Sequence, residues 1–214
     1  MKKLANYKKV KAHLKKVYDD LAEYWGKDDT LHDWGSQDLK EFSKLVKTSG
    51  GMRVLDLGCG SGVQSMMLAA EGLKVVGLDL SSEMIKEAQR RVPSANFVVG
   101  DMTAMGFKNG SFDGVYARAS LLHIPKSLIP KVLNEIKRIL KSGGILYLAV
   151  KEGDGEREVE DARHGKKVKR FFAFFREEEM RNFLGKGNFK INKIKKFLRK
   201  ENSTPWLLVF AHKI

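Results

Sequence analysis

Arg53-Val54-Leu55-Asp56-Leu57-Gly58-Cys59-Gly60-Ser61-Gly62 is the stretch that decides how this chain folds. It starts as a short apolar run bounded by glycine, the pattern of a strand buried on both faces in a parallel sheet. Gly58, Gly60 and Gly62 then alternate, and a helical pattern opens at Val63 and runs to Ala70. A glycine turn between a buried strand and a helix lets backbone approach a ligand closely. The expectation is a nucleotide-like cofactor at the carboxyl end of this strand.

The spacing narrows the cofactor. A dinucleotide fingerprint is G-x-G-x-x-G, whereas Gly58 to Val63 reads G-x-G-x-G, with Val63 in the place of the last glycine. Asp56 inside the strand would repel a pyrophosphate and suit a ligand carrying an ammonium and a sulfonium. Here the sequence resembles the class I S-adenosyl-L-methionine-dependent methyltransferases, whose first motif looks like Val54 to Gly62. The resemblance implies a Rossmann-like α/β fold and S-adenosyl-L-methionine as cofactor, with S-adenosyl-L-homocysteine as product. It also implies that Asp56, Gly58, Cys59, Gly60 and Gly62 belong to the cofactor site.

Working outward, Lys74 to Ser81 reads as a second buried strand ending in Asp79. An acid about 20 residues beyond the glycine turn is placed to accept bonds from ribose hydroxyls, and the resemblance gives Asp79 that role, beside Leu80. The competing reading has Asp79 capping the next helix, for which Ser81 is the natural N-cap. Asn96 to Gly100 is a third strand, followed by Asp101 and Met102. In similar enzymes an acid here accepts from the adenine amino group and the next residue meets the ring. Ser111 to Ala117 is a fourth strand, leading into Arg118-Ala119-Ser120-Leu121-Leu122-His123-Ile124-Pro125. Arg118 either clamps an acidic substrate, pairs with a cofactor-site carboxylate, or bonds a neighbouring loop. His123 is a candidate general base or a satisfied structural histidine. The Asn-Pro-Pro-Tyr motif of nucleic-acid amino methyltransferases is absent from this position.

A helix is expected from Pro125 to Leu140, stopped by Lys141 to Gly144, then a fifth strand over Ile145 to Val150. Lys151 to Lys169 reads as a charged, mobile segment. Phe171, Phe172, Phe174 and Phe175 follow between basic residues, as core, as a pocket wall, or as a surface that stacks bases. Glu177 to Leu184 is a short helix with acids in its first turn. Phe189 to Leu198 and Trp206 to Ala211 are strands joined by a turn so short that they must be antiparallel. Strand and helix alternate from 53 to 150, which demands a parallel sheet covered on both faces. A mostly parallel seven-stranded sheet with an antiparallel carboxyl-terminal hairpin is therefore expected, as the resemblance also implies.

Ahead of the glycine turn, Leu4, Tyr7, Val10, Leu14, Val17 and Leu21 recur at threes and fours, marking an amphipathic helix. Tyr18, Tyr24 and Trp25 on it either cap the cofactor or pack the core. Gly26 to Gly35 reads as a polar loop in which His32 and Asp33 form at most a weak metal pair; no metal site is expected. Gln37 to Thr48 is helical. The expected division is a lid segment over 1–48 and a cofactor-binding domain over 49–214.

The chain has 214 residues and is 43% hydrophobic, enough for one domain with its own core. No apolar run approaches the roughly 18 residues that span a bilayer, and the first residues lack the apolar core of a signal peptide. The single cysteine, Cys59, forms no internal disulfide, in keeping with a cytoplasmic location. The net charge of +14 reflects either a lysine-rich solvated surface or a surface for phosphates and anionic substrates. Methyl transfer to an O, N, S or C atom of a small molecule is the leading expectation. Ala119 to Pro125 with Lys151-Glu152-Gly153 looks like the tellurite-resistance and quinone-biosynthesis enzymes. The alternatives are an RNA (tRNA or rRNA) methyltransferase or RNA-binding module using the basic amino terminus and residues 163–200, and a nicotinamide oxidoreductase.

Overall fold

The computed structural model describes residues 2–27, 36–163, 166–198 and 203–214. Seven strands form one sheet in the order β3 (Asn96–Val99), β2 (Lys74–Asp79), β1 (Arg53–Leu57), β4 (Phe112–Arg118), β5 (Leu140–Lys151), β9 (Trp206–Lys213), β8 (Phe189–Phe197). The first five pair in parallel; β9 runs antiparallel to both β5 and β8. This is the expected doubly wound sheet with its closing hairpin. The strand order reverses between β1 and β4, and ligands bind outside the carboxyl ends at such a switch point.

Period-two alternation assigns each strand face to its own core. Leu146, Leu148 and Val150 of β5 and Leu207, Val209 and Ala211 of β9 pack with α5 (Ile129–Ile139) and α6 (Glu177–Lys186). The intervening Ile145, Tyr147 and Ala149, with Leu208 and Phe210, pack on the opposite side. There they meet Leu39, Phe42 and Val46 of α2 (Ser36–Thr48) and Leu68 of α3 (Val63–Ala70). A strand whose alternate residues all find apolar partners reads as a continuous hydrophobic run, which is why these segments were legible. α4 (Ser82–Arg91) is capped as expected, the Ser81 hydroxyl accepting from the Met84 amide at 3.1 Å. α1 spans Lys2–Lys27.

The structure departs from the sequence reading in two places. The segment expected to be mobile is a hairpin, β6 (Glu156–Arg163) against β7 (Lys166–Ala173). β6 is rich in acids and the first half of β7 in bases, with no regular apolar–polar alternation, and glutamate and lysine are poor strand formers. Cross-strand pairs such as Glu160 opposite Lys169 suit the register. The other departure concerns α2. Its buried Leu39, Phe42 and Val46 make it part of the core, so among the described residues of 1–48 only those of α1 line the cavity.

Candidate active site

The carboxyl ends of β1 to β5 face a single cavity of about 250 Å³, lined also by Tyr7, Lys11, Leu14, Tyr18 and Trp25 of α1. That volume lies just below the ~300–1,000 Å³ usual for ligand sites, and α1 supplies one wall of it.

The turn after β1 forms the floor. Gly58, Gly60 and Gly62 all have positive φ (78°, 52° and 81°). A Cβ on Gly58 would lie 2.3 Å from the Ser120 Cβ, and one on Gly62 would lie 2.9 Å from the Ala88 Cα. The first glycine thus seats the turn against the loop after β4, and the last brings it against α4. The amides of Gly58 and Cys59 donate to the Leu78 carbonyl (2.7 and 3.1 Å), and that of Gly62 donates to the Cys59 carbonyl (3.0 Å). Gly60 donates to Asp79 Oδ2 at 2.9 Å, while Asp79 Oδ1 accepts from the Ser81 amide at 2.9 Å. Amides that a phosphate loop turns toward its ligand are here consumed within the protein, and a carboxylate stands beside them. Burial raises the Asp79 carboxyl despite these backbone donors. A carboxylate has about four acceptor positions, leaving Asp79 capacity for a hydroxyl in the cavity.

α1 is fastened to three strand tips. Tyr7 donates to Asp101 Oδ1 (3.0 Å) and Lys11 donates to Asp101 Oδ2 (2.9 Å). Burial raises the Asp101 carboxyl, but bonds from Thr103, Lys11 and Tyr7 outweigh it and hold it below the usual range. Oδ1 already takes Tyr7 and both donors of Thr103, whereas Oδ2 takes Lys11. Asp19 accepts from the Ser81 hydroxyl (2.6 Å) and the Glu83 amide (3.3 Å), placing an acid at the positive end of α4. Ser61 donates to the Trp25 carbonyl at 3.1 Å.

The other half of the cavity carries titratable groups of a different kind. His123 Nδ1 lies 2.8 Å from the Phe171 carbonyl, which only accepts, so Nδ1 carries a proton. In the neutral ring Nε2 then accepts from the Tyr18 hydroxyl, 2.7 Å away. The Tyr18 oxygen in turn accepts from Arg170 Nη1 at 3.0 Å. Arg118, Lys151, Phe172 and Trp206 complete this half. Ser120 also lines it, and its buried Oγ has no hydrogen-bond partner among the described residues.

Residues 54–144 match the family model described as "Methyltransferase domain". The demethylmenaquinone methyltransferase of Beutenbergia cavernae is 34% identical over 135 residues, 62% of this chain and 55% of that protein. The chain spans about half the length of the curated relatives it matches. A Methanosarcina mazei structure titled as a SAM-dependent methyltransferase is 26% identical with a TM-score of 0.67, covering 76% of this chain and 92% of that one. Residues 54–144 thus carry a methyltransferase domain, and the chain is similar in sequence and fold to S-adenosylmethionine-dependent methyltransferases. The Burkholderia thailandensis 1,6-didemethyltoxoflavin-N1-methyltransferase, solved with its substrate and S-adenosylhomocysteine, shares the fold at 23% identity. Its TM-score is 0.71, over 94% of this chain and 88% of that one.

In this methyltransferase fold, Gly58, Cys59, Gly60, Asp79, Leu80, Asp101, Met102, Arg118, His123, Tyr18 and Trp25 all line the cavity. Asp56, Gly62 and Tyr24 are not among its lining residues. Asp56 shares strand parity with Val54, so it turns under the sheet toward α3, where Ser65 Oγ donates to it at 2.7 Å. Burial pushes its carboxyl up to about 7. Gly62 serves the contact with α4, and Tyr24 sits about 100° around α1 from Trp25, on an exposed side. Cys59 is buried and its thiol is pushed up, first by burial and then by Asp79, which leaves it a poor nucleophile. Phe172, expected as core, pocket wall or stacking surface, lines the cavity, and so do Lys151, Arg170, Trp206, Ser120 and Lys11, which sequence reasoning did not single out. For Lys11 the signal was present, since 7, 11, 14, 18 and 25 form one helical stripe. His32 and Asp33 lie outside the described residues. Among those described, no group of three or more His, Cys, Asp or Glu is placed to hold a metal, and no helix is long and apolar enough to cross a membrane.

Proposed function

We propose that the chain transfers the methyl group of S-adenosylmethionine to a small-molecule acceptor. The observation that carries this reading is the floor of the cavity, where the turn's amides are used internally and Asp79 is aimed into the space they leave. Such a floor disfavours a pyrophosphate and suits a ribose attached to a cationic sulfur, which also weighs against a nicotinamide cofactor. Asp79 would hold the ribose, Asp101 Oδ2 and Met102 the adenine, and Gly58 to Gly60 the remainder. The cofactor supplies a methyl carbon on a positive sulfur that leaves as a neutral thioether.

The chain's own residues supply alignment, dryness and a place for the acceptor's proton. Holding two reactants in line is worth roughly 7–11 kcal/mol, and closure of α1 excludes water. Tyr18 and His123 form the base. The acceptor's proton passes to the Tyr18 oxygen as the Tyr18 proton passes to His123 Nε2. Arg170 steadies the phenol oxygen, and the Phe171 carbonyl steadies the imidazolium.

The names of the relatives, acting on a quinone precursor and a didemethyltoxoflavin, support a small acceptor. The RNA reading loses support from the surface. On β8, Lys193 pairs with Glu41, Lys195 with Asp38 and Lys196 with Glu152, and Phe172, Phe174 and Phe175 are buried rather than presented to bases. A cytoplasmic location is proposed from the single buried thiol. The test is incubation with methyl-labelled S-adenosylmethionine and, separately, a small-metabolite extract and total RNA. Label in the metabolites alone is expected; label in RNA alone overturns the choice of acceptor. Absence of any calorimetric signal with S-adenosylhomocysteine overturns the cofactor.

A further inference from the structure

The imidazole of His123 is held by contacts from both α1 and β7. Its Nδ1 donates to the Phe171 carbonyl at 2.8 Å, and its Nε2 faces the Tyr18 hydroxyl at 2.7 Å. The Phe172 ring tilts against it with centroids 4.8 Å apart, and the Tyr18 ring meets it edge-on at 5.6 Å. In the neutral ring these contacts fix one tautomer, whose lone pair is turned to Tyr18. Arg170 Nη1 donates to the Tyr18 oxygen at 3.0 Å, so charge that develops on this oxygen meets a cation. The relay is thereby set to receive a proton rather than to deliver one.

A base of this kind suits one class of acceptor. An amine attacks with a lone pair it already has and sheds its proton afterwards. A thiol titrates at about 8.5 and ionises in water to a useful extent without help. An aliphatic alcohol holds its proton too tightly for an imidazole to take in step with transfer. A phenol, at about 10 as in tyrosine, is a weak nucleophile while neutral, yet its proton lies within reach of a general base. The wall beside the relay fits such a ring. Leu122, Ile124, Phe172 and Trp206 line the cavity there, and Leu122 and Phe172 share an apolar cluster against which Trp206 packs. Flat rings bury a large apolar area against such a wall while presenting a polar edge.

Resting on the methyl-transfer reading, we infer that the acceptor is a phenol, methylated on its oxygen, and that Tyr18 and His123 select it by taking its proton as the new bond forms. The phenol gives its O–H proton to the Tyr18 oxygen while Tyr18 passes its own to His123 Nε2. A lone pair of the phenol oxygen forms the bond to the methyl carbon, and the methyl–sulfur bonding pair stays on sulfur. The products are an aryl methyl ether, a neutral thioether and an imidazolium, which afterwards returns its proton to water through Tyr18. Attack through a ring carbon would release a second proton, for which the relay, already protonated, has no place.

The experiment offers 2-naphthol, 2-naphthylamine and 2-naphthalenemethanol, each separately, with methyl-labelled S-adenosylmethionine. Label is expected in 2-methoxynaphthalene, at a rate about tenfold or more above that of either other product. Tyr18→Phe is expected to slow 2-naphthol about 100-fold near pH 7. That deficit should shrink to within about fivefold by about pH 9.5, where the phenol ionises by itself. A structural role alone would leave the deficit unchanged with pH. His123→Ala removes the relay a second way, and S-adenosylhomocysteine affinity within about twofold by calorimetry shows that each variant keeps its fold. Faster transfer to the amine or the alcohol overturns the inference, as do label on a ring carbon, no transfer to 2-naphthol, or a deficit independent of pH in both variants. Failure of S-adenosylhomocysteine to bind the unaltered chain refutes the methyltransferase reading instead.

Discussion

The two halves of the cavity are built by different means. On the β1–β3 side each ligand-facing group sits at or just beyond a strand end, and the strands follow one another in sequence: the glycine turn at 58–62, Asp79, Asp101. On the β4–β5 side the groups come from residues 18, 118, 123, 151, 170, 172 and 206, and Tyr18 meets His123 across 105 positions. The first half requires only that a strand end where its motif says it ends. The second requires α1, the β6–β7 hairpin and the start of β9 to dock together. A fold with this division keeps its cofactor site while the other side is rebuilt for new acceptors.

The sharpest way to break this comparison is Asp79→Ala. Loss of a charged acceptor with its hydroxyl partner should weaken S-adenosylhomocysteine about 100-fold or more in calorimetry. Because Asp79 also holds the Gly60 amide, a modest fall in Tm accompanies it. Affinity retained within about threefold would remove Asp79 from the ribose.

On the opposite side the effect belongs to turnover. Tyr18→Phe and His123→Ala should each lower kcat about 100-fold with S-adenosylhomocysteine affinity within about twofold. The double variant should be little worse than either single one, since the pair acts as a unit. Multiplicative losses would mean two separate roles.

Asp56 sharpens the boundary between site and core. Its carboxyl stands at about 7 in the folded chain, above the usual ~3.9, so the folded state holds a proton the unfolded chain has released. Asp56 is therefore without cost below about pH 4 and destabilises increasingly as pH rises toward 7. Asp56→Asn should raise Tm by roughly 5 °C at pH 8, with the gain shrinking toward pH 4. A gain independent of pH would place the effect in packing. The smallest change is expected for Lys11→Met. Its pair with Asp101 is partly exposed, so loss of about twofold in cofactor affinity, vanishing in high salt, is the expected result.

Much of this architecture was readable beforehand, and the reasons lie in particular residues. Buried parallel strands such as Val54 to Leu57 and Leu146 to Val150 announce themselves because both faces are apolar. Ser81 announced its cap because the hydroxyl acts within three residues. The β6–β7 hairpin was hidden because its strands are charge-rich and lack an apolar–polar alternation, and it packs against α1, where His13 donates to the Lys169 carbonyl at 2.7 Å. Asp56 was read as a ligand group from the motif, yet strand parity turns it toward Ser65.

Taken alone, the order of residues determined the sheet, the glycine turn and the acids that follow it, because those features rest on local geometry and short-range periodicity. Only the tertiary structure decided which aromatics of α1 face the cavity, that Tyr18, His123 and Arg170 form one hydrogen-bonded chain, and that Lys151 and Arg170 stand over the Phe172 ring. Contacts between segments a hundred residues apart leave no periodic trace in either segment. They exist only once burial of the core has brought the segments together.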